Sequence, residues 1–583
     1  MKFLNGLCFA MLLLPIPVSA APSESQRLHD LFDREWDYHM QRRPMWASIL
    51  GDRRWNDRWP DMSRQGTFKH ELRQKRVMID LHRLDRSKLS SEDQLNYDLF
   101  EQSLQRDIED LSMMLYLMPL DHRHGVQTMD EYASALRFET VKDYEDWIKR
   151  LEGLPVMLDQ ITELMREGIA RGIVHSRVVM ERVPRQLAKH IVEEPEHSPF
   201  YKPFRKFHRN IPEGEQLRME SEAWTAIKED VVPAFQKFKV FFVEKYLPGC
   251  HSNVGAWQWP HGKRAYDFLC RKFTTTSSSA DQIHKTGLSE VQRIRGEMDA
   301  IREKVGFKGS LAEFFDHLRT DPKFFYRTGD ELLQGYRAMS RRIDPLMVKV
   351  FRVLPRMPYG IEPIPAKTAP DTTTAYYRWP APDGSRAGTY FVNLYMPETR
   401  PKWEMMALSL HEAVPGHHLQ IALAQEQNDL PKFRRHLSVT AYIEGWGLYA
   451  ESLGDELGLY DDPYDKFGQL TYEMWRAVRL VVDTGMHSKK WSRDKAIEFF
   501  MENAPKTRQD VVNEIDRYIA WPGQALAYKI GQLKLSELRA TASKALGAEF
   551  DVKAFHDVVL QSGAVPLDIL TKRINAWIRA GGK

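Results

Sequence analysis

The sequence predicts a mainly α-helical protein of two closely packed lobes, with a small β element beside its most unusual helix. Three observations carry this. Through most of the chain apolar residues recur at steps of three and four, the spacing that lines up one face of a helix. Strand-forming runs are confined to 372-TTTAYYRWPAPDGSRAGTYFVNLYM-396. No repeat of fixed period and no disordered connector divides the chain.

The elements follow in order. Residues 1–20 combine Lys2, an apolar run over 3–17 and the small-residue end Val18-Ser19-Ala20, the pattern of a cleaved signal peptide. The run is too short, and too broken by Asn5, Gly6 and Pro15, to span a bilayer, and no later segment has the required length. A periplasmic or secreted protein with no membrane span is expected. The remainder divides into an N-terminal helical lobe, 21–300, and a C-terminal lobe, 301–583. Ser91 and Gln94 form a capping-box pattern ahead of a stripe of Leu95, Leu99, Leu104, Ile108 and Leu111. Residues 154–172 read as a helix stopped by a glycine. Over 224–246, Trp224, Ile227, Val231, Phe235, Phe238 and Phe242 mark one buried face, and Leu247-Pro248-Gly249 ends it. After the polar tract 274–279, Ser279 and Gln282 form a second capping box. Strand-forming runs at 374–379 and 389–395 flank the turn sequence Pro382-Asp383-Gly384-Ser385, which predicts a hairpin. An edge strand there has two readings: it pairs with an extended peptide, or it only packs.

Composition excludes some partners. The 583 residues carry 83 Lys+Arg against 80 Asp+Glu, a net charge of +3, and no dense basic block marks a nucleic-acid surface. With 43% hydrophobic residues the chain can bury a large core. Cys250 and Cys270 form either a disulfide or two buried thiols; without CxxC spacing neither suits a metal.

The chemistry concentrates in 403-WEMMALSLHEAVPGHHLQIALAQ-425 and 441-AYIEGWGLYAES-452. His411, a following histidine and Glu444 supply two imidazoles and a carboxylate from two helices, and Glu412 is a spare carboxylate beside them. That set is what hydrolytic zinc chemistry requires. The usual HExxH spacing is absent, because Pro415 stands four residues after His411. In an unbroken helix His417 and His418 would lie roughly 9 and 10.5 Å further along the axis, too far to share one ion. Pro415-Gly416 predicts a distorted helix at 413–416 that draws His417 back, leaving His418 as a supporting or alternative group. Glu451, seven residues after Glu444, shares its face and is either an acceptor for a ligand or a solvated residue.

The strings HEAVPGHHLQ, YIEGWGLYAE and WPGQALAYKIG, in that order, resemble the bacterial domain-of-unknown-function family 885 over most of the chain beyond residue 20. That family in turn resembles the mostly helical zinc peptidases such as thimet oligopeptidase, carboxypeptidase Taq and angiotensin-converting enzyme, which carry HExxH and a glutamate on a following helix. Dipeptidyl peptidase III has one extra residue before Gly-His; this chain has two, and the shared Gly-His ending favours His417. The resemblance implies a two-lobed, zincin-like metallopeptidase fold. It makes His411, His417 and Glu444 the Zn2+ ligands and Glu412 the general base. It also points to Tyr528, in a C-terminal helix, as donor to the oxyanion, with His487 as second candidate; the other readings are that Tyr528 is core and that His487 is a hydrogen-bonded helix terminus. Arg517 is a candidate for a substrate's terminal carboxylate.

The function expected is zinc-dependent hydrolysis of small or unfolded peptides. Two alternatives stand beside it, a zinc amidase acting on cell-wall muropeptides and a non-catalytic periplasmic metal- or peptide-binding protein. Substrate length and oligomeric state stay open.

Overall fold

The structure is a computed structural model that describes residues 22–582 apart from residue 367. The expected signal peptide lies outside the described residues. The chain is mainly helical, with a three-stranded sheet. Helix α1, Ser91–Ser112, is capped by Ser90, whose hydroxyl accepts from Asp93 N, one residue earlier than the expected Ser91. Both serines offer the same hydroxyl, so sequence alone does not choose between them. Helix α2, Val141–Arg171, accommodates Pro155 and stops at Gly172, whose φ of 69° is left-handed. The segment 213–249 is helical throughout. It widens into π-turns at Ile227–Val231 and Phe242–Tyr246, just before Pro233 and Pro248, whose missing N–H groups break the regular ladder. Its expected stripe is buried from Ile227 to Phe242, with Trp224 half-buried.

Helix α3, Ala280–Lys304, begins with the expected Ser279–Gln282 capping box. It runs unbroken through residue 300, so the expected lobe boundary falls inside a helix. The sheet has the order β1-β3-β2, with β1 Tyr359–Pro363, β2 Ala375–Arg378 and β3 Gly388–Val392. The expected hairpin is the antiparallel β2–β3 pair; the parallel β1 was not apparent, because Gly360 and Pro363 weaken its strand signal. Cys250 and Cys270 are both buried free thiols, in different apolar clusters, which rules out the disulfide reading.

Six helices then build the centre of the molecule: α4 Met405–Glu412, α5 His417–Glu426, α6 Thr440–Glu456, α7 Pro463–His487, α8 Arg508–Ala520 and α9 Ala527–Leu546. Helix α7 is buried at every position from 467 to 487 and packs against α3. Helices α6 and α9 cross at two glycines. A Cβ on Gly445 would fall 2.5 Å from the Cα of Gly531, and one on Gly531 would fall 1.9 Å from the carbonyl oxygen of Ala441. That close crossing brings the Glu444 end of α6 beside the Tyr528 end of α9.

Candidate metal centre and cavity

Helix α4 ends on His411 and Glu412. Ala413 (φ −98°, ψ −111°) and Gly416 (φ −75°, ψ −128°) leave helical geometry, the Val414–Pro415 peptide is cis, and α5 begins at His417. The break is closed by bonds from Trp446 Nε1 to the Pro415 carbonyl (2.8 Å) and from His418 N to the Ala413 carbonyl (3.0 Å). A Cβ on Gly416 would lie 1.9 Å from the His411 carbonyl oxygen, so only glycine fits the turn. The two extra residues are absorbed there, and the His417 ring returns to 4.7 Å from that of His411, at 84°.

Glu444 meets both imidazoles. Its Oε2 lies 3.6 Å from His411 Nε2 and 3.4 Å from His417 Nε2. One donor atom from each residue lies within 4.8 Å of the other two. Tetrahedral zinc, with bonds of 2.0–2.2 Å, sets neighbouring donors about 3.3 Å apart, so two nitrogens and an oxygen at these separations fit that ion. His418 is directed elsewhere: its Nδ1 bonds the Tyr377 hydroxyl at 2.8 Å and its ring packs on Tyr359. Behind His411, Glu451 accepts from Nδ1 at 2.8 Å, is fully buried, and faces Arg476 at 3.5 Å. That carboxylate fixes the ring so that Nε2 faces Glu444.

Electrostatics follow from these contacts. Burial opposes charge on His411, but its bonds to Glu444 and Glu451 outweigh it and push the imidazole up to about 9. Burial likewise favours a neutral Glu444, yet His411 and His417 hold it well below the usual carboxylate range. Burial pushes the Glu412 carboxyl up, and that carboxyl makes no hydrogen bond or ion pair among the described residues.

His411, Glu412, His417 and Glu444 line a cavity of about 460 Å³. Residues 373–377, including the first three of the edge strand β2, form one wall. Tyr528 lines it too; its hydroxyl pKa is raised by burial and by Glu444, and Arg517 and Arg479 act in the opposite sense. Arg517 is present as well, bonded to Glu514 (2.8 Å) and Gln524 (2.8 Å). His487 is not among the lining residues. Its Nδ1 accepts from Ala256 N (2.9 Å) and its Nε2 donates to the Tyr518 carbonyl (3.0 Å). With both nitrogens committed to backbone, the expectation that His487 donates to an oxyanion is withdrawn.

Sequence reasoning missed Arg123, Arg476, Arg479 and Glu514 in the cavity wall. One signal was available. Arg476 and Arg479, one turn apart in the apolar helix α7, are charges that a structural helix does not bury without a reason.

The bacterial protein of unknown function family (DUF885) matches residues 44–574. The chain belongs to this family. Among solved structures it is similar to a "putative lipoprotein" from Colwellia psychrerythraea, with TM-score 0.88 and 29% identity over 96% of this chain and 100% of that one. A "putative lipoprotein of unknown function" from Shewanella oneidensis shares the fold at TM-score 0.66 and 18% identity, over 95% of this chain and 99% of that one. No curated protein matches. Among the described residues of this DUF885 protein, no helix is long and apolar enough to cross a membrane.

Proposed function

We propose that this DUF885 protein is a zinc-dependent peptidase of zincin-like type, cleaving small or unfolded peptides outside the cytoplasm. The observation that carries the reading is the convergence of His411, His417 and Glu444 with an unpartnered Glu412 on the same cavity. His411, His417 and Glu444 would hold a zinc ion, which would supply a Lewis acid able to lower the pKa of a water toward about 7. Glu412 takes the proton of the attacking water and passes it to the leaving amine, a role suited to a carboxyl whose pKa burial has raised. The Tyr528 hydroxyl donates to the oxyanion, and the edge of β2 pairs with the extended substrate. A cavity of this size favours short or unfolded chains over folded ones. The extracytoplasmic placement is supported by the two structural relatives described as lipoproteins and by the signal-like residues 1–20.

The test is metal analysis of purified protein alongside mass-spectrometric mapping of a mixed peptide library. A chelator abolishes cleavage, and Glu412→Gln keeps stoichiometric zinc while losing turnover. Undiminished turnover in that variant removes Glu412 from the role of base.

A further inference from the structure

The cavity wall away from the histidines is cationic. Arg123, Arg479 and Arg517 line it with a single carboxylate, Glu514, among them. Glu514 is shared by Arg517 Nη2 at 2.8 Å and Arg479 Nη2 at 3.1 Å. Arg479 also donates from Nε to the Tyr518 hydroxyl (2.7 Å), and its buried Nη1 has no partner. The Arg123 guanidinium makes no hydrogen bond or ion pair among the described residues and stacks over the Trp521 ring, 5.7 Å from its centroid.

Arg123 is held in place nonetheless. Asp121 Oδ1 accepts from the backbone N of Arg123 (2.6 Å) and His124 (3.1 Å), while Oδ2 accepts from Trp521 Nε1 (2.7 Å). The loop is thereby tied to the segment leading into α9. Asp121 spends its acceptors on those N–H groups rather than on the guanidinium. Burial favours a neutral Glu514, but Arg517 and Arg479 keep it ionised. The lining of the wall therefore carries three guanidinium groups against one carboxylate, with the Asp121 carboxylate beside Arg123 outside the lining. Glu412, Glu444 and Glu451 lie on the histidine side, with Tyr528 between the two groups.

Surplus cations on a partly buried cavity wall cost free energy unless an anion joins them. Guanidinium forks with free N–H groups match a carboxylate in shape and charge. We propose that Arg123, Arg479 and Arg517 form a subsite for a carboxylate of the bound peptide, its C-terminal carboxylate or an acidic side chain. The inference rests on the peptidase reading and specifies its substrate: a short peptide whose anionic end anchors on this wall while the bond to be cut lies toward the histidines.

The test uses three matched tetrapeptides: a free acid, its C-terminal amide, and an amide ending in glutamate. Binding to zinc-loaded Glu412→Gln protein is measured by calorimetry, which needs no turnover. The free acid is expected to bind roughly ten- to a hundredfold more tightly than the plain amide. Arg123→Gln in the same background is expected to erase most of that preference without lowering the melting temperature, because Arg123 has no ion-pair partner to strand. Recovery of tight binding by the glutamate amide assigns the subsite to a side chain; its absence assigns it to the terminal carboxylate. Equal binding of acid and amide, or a preference untouched by Arg123→Gln, overturns the proposal. Equal cleavage of acid and amide by wild-type protein overturns the subsite and leaves the peptidase reading standing. Carboxylate-selective binding with no cleavage of any peptide does the reverse.

Discussion

The imidazole of His411 occupies the space that a side chain at Gly447 would need. A Cβ there would lie 2.7 Å from Cε1 and 2.9 Å from Nε2 of the ring. Glu444, Gly447 and Glu451 are spaced three and four along α6 and so share one face. That face offers a carboxylate to each nitrogen of the ring, with a gap between them for the ring itself. Gly447→Ala is expected to displace the imidazole and lower zinc affinity by tenfold or more, on the order of losing one well-placed ligand interaction. Zinc competition titration against a chromogenic chelator measures it, and unchanged affinity would show that the ring has room to move.

Glu451 tests orientation separately from ligation. Glu451→Gln keeps an acceptor for His411 Nδ1 but removes the buried charge that the ring and Arg476 share. Loss of such a supporting carboxylate typically weakens metal binding by about 10–100-fold. Zinc titration should place the variant in that range with stoichiometry still one. Full loss of stoichiometry would instead indicate collapse of the α4–α6 contact.

Much of the centre was legible in the sequence, for physical reasons that differ by residue. His411, Glu412 and Glu444 stand out because ionisable groups in apolar helical runs need a purpose. Pro415-Gly416 announced the broken helix because proline and glycine act locally, through backbone geometry. The Gly-His ending singles out His417, whose ring does turn toward His411, but only the packing of Tyr377 and Tyr359 around His418 explains where the latter goes. Arg123 was invisible, because it reaches the cavity through a loop about 400 residues away in sequence from Trp521, its neighbour there. Strand β1 escaped because its pairing is with β3, across the intervening β2 segment. For His487 the sequence left two readings open, oxyanion donor or hydrogen-bonded helix terminus, because the two backbone groups that bind its ring are distant in sequence.

The α6–α9 crossing predicts a stability effect with a functional consequence. Gly531→Ala would drive a methyl group into the Ala441 carbonyl, which is backbone and cannot rotate away. Overpacking of this kind costs about 3 kcal/mol or more, which would appear as a clear fall in melting temperature. Because the crossing sets Tyr528 relative to Glu444, the fraction that still folds should also show reduced kcat. A variant with unaltered melting temperature would mean that the helices separate freely.

The buried histidines predict how stability responds to acid. His487 and His556 are buried, and burial pushes each imidazole down to about 4. In the unfolded chain each titrates near its ordinary value of about 6.5. Between these two values the unfolded state holds the extra proton, so stability is fully present above about pH 6.5 and is lost as pH falls toward about 4. The cost approaches roughly 3 kcal/mol per histidine at the acid end. Asp483 acts in the opposite sense. Burial raises its carboxyl to about 7 despite bonds from Tyr266 and Gly523, so its contribution is greatest below about pH 4 and declines up to about pH 7. Asp465, raised by burial to about 6, acts with Asp483, but His39, His70, His122, His418 and His436 are depressed in the same direction as His487 and His556, each with burial as the leading cause. The net expectation is a melting temperature that falls from pH 6.5 to pH 4. Replacing His487 with asparagine removes one titrating group. The slope of unfolding free energy against pH near pH 5 should then flatten by about 1.4 kcal/mol per pH unit, the value for one proton. Denaturant titrations at a series of pH values measure that slope, and an unchanged slope would mean that His487 is already protonated in the folded protein.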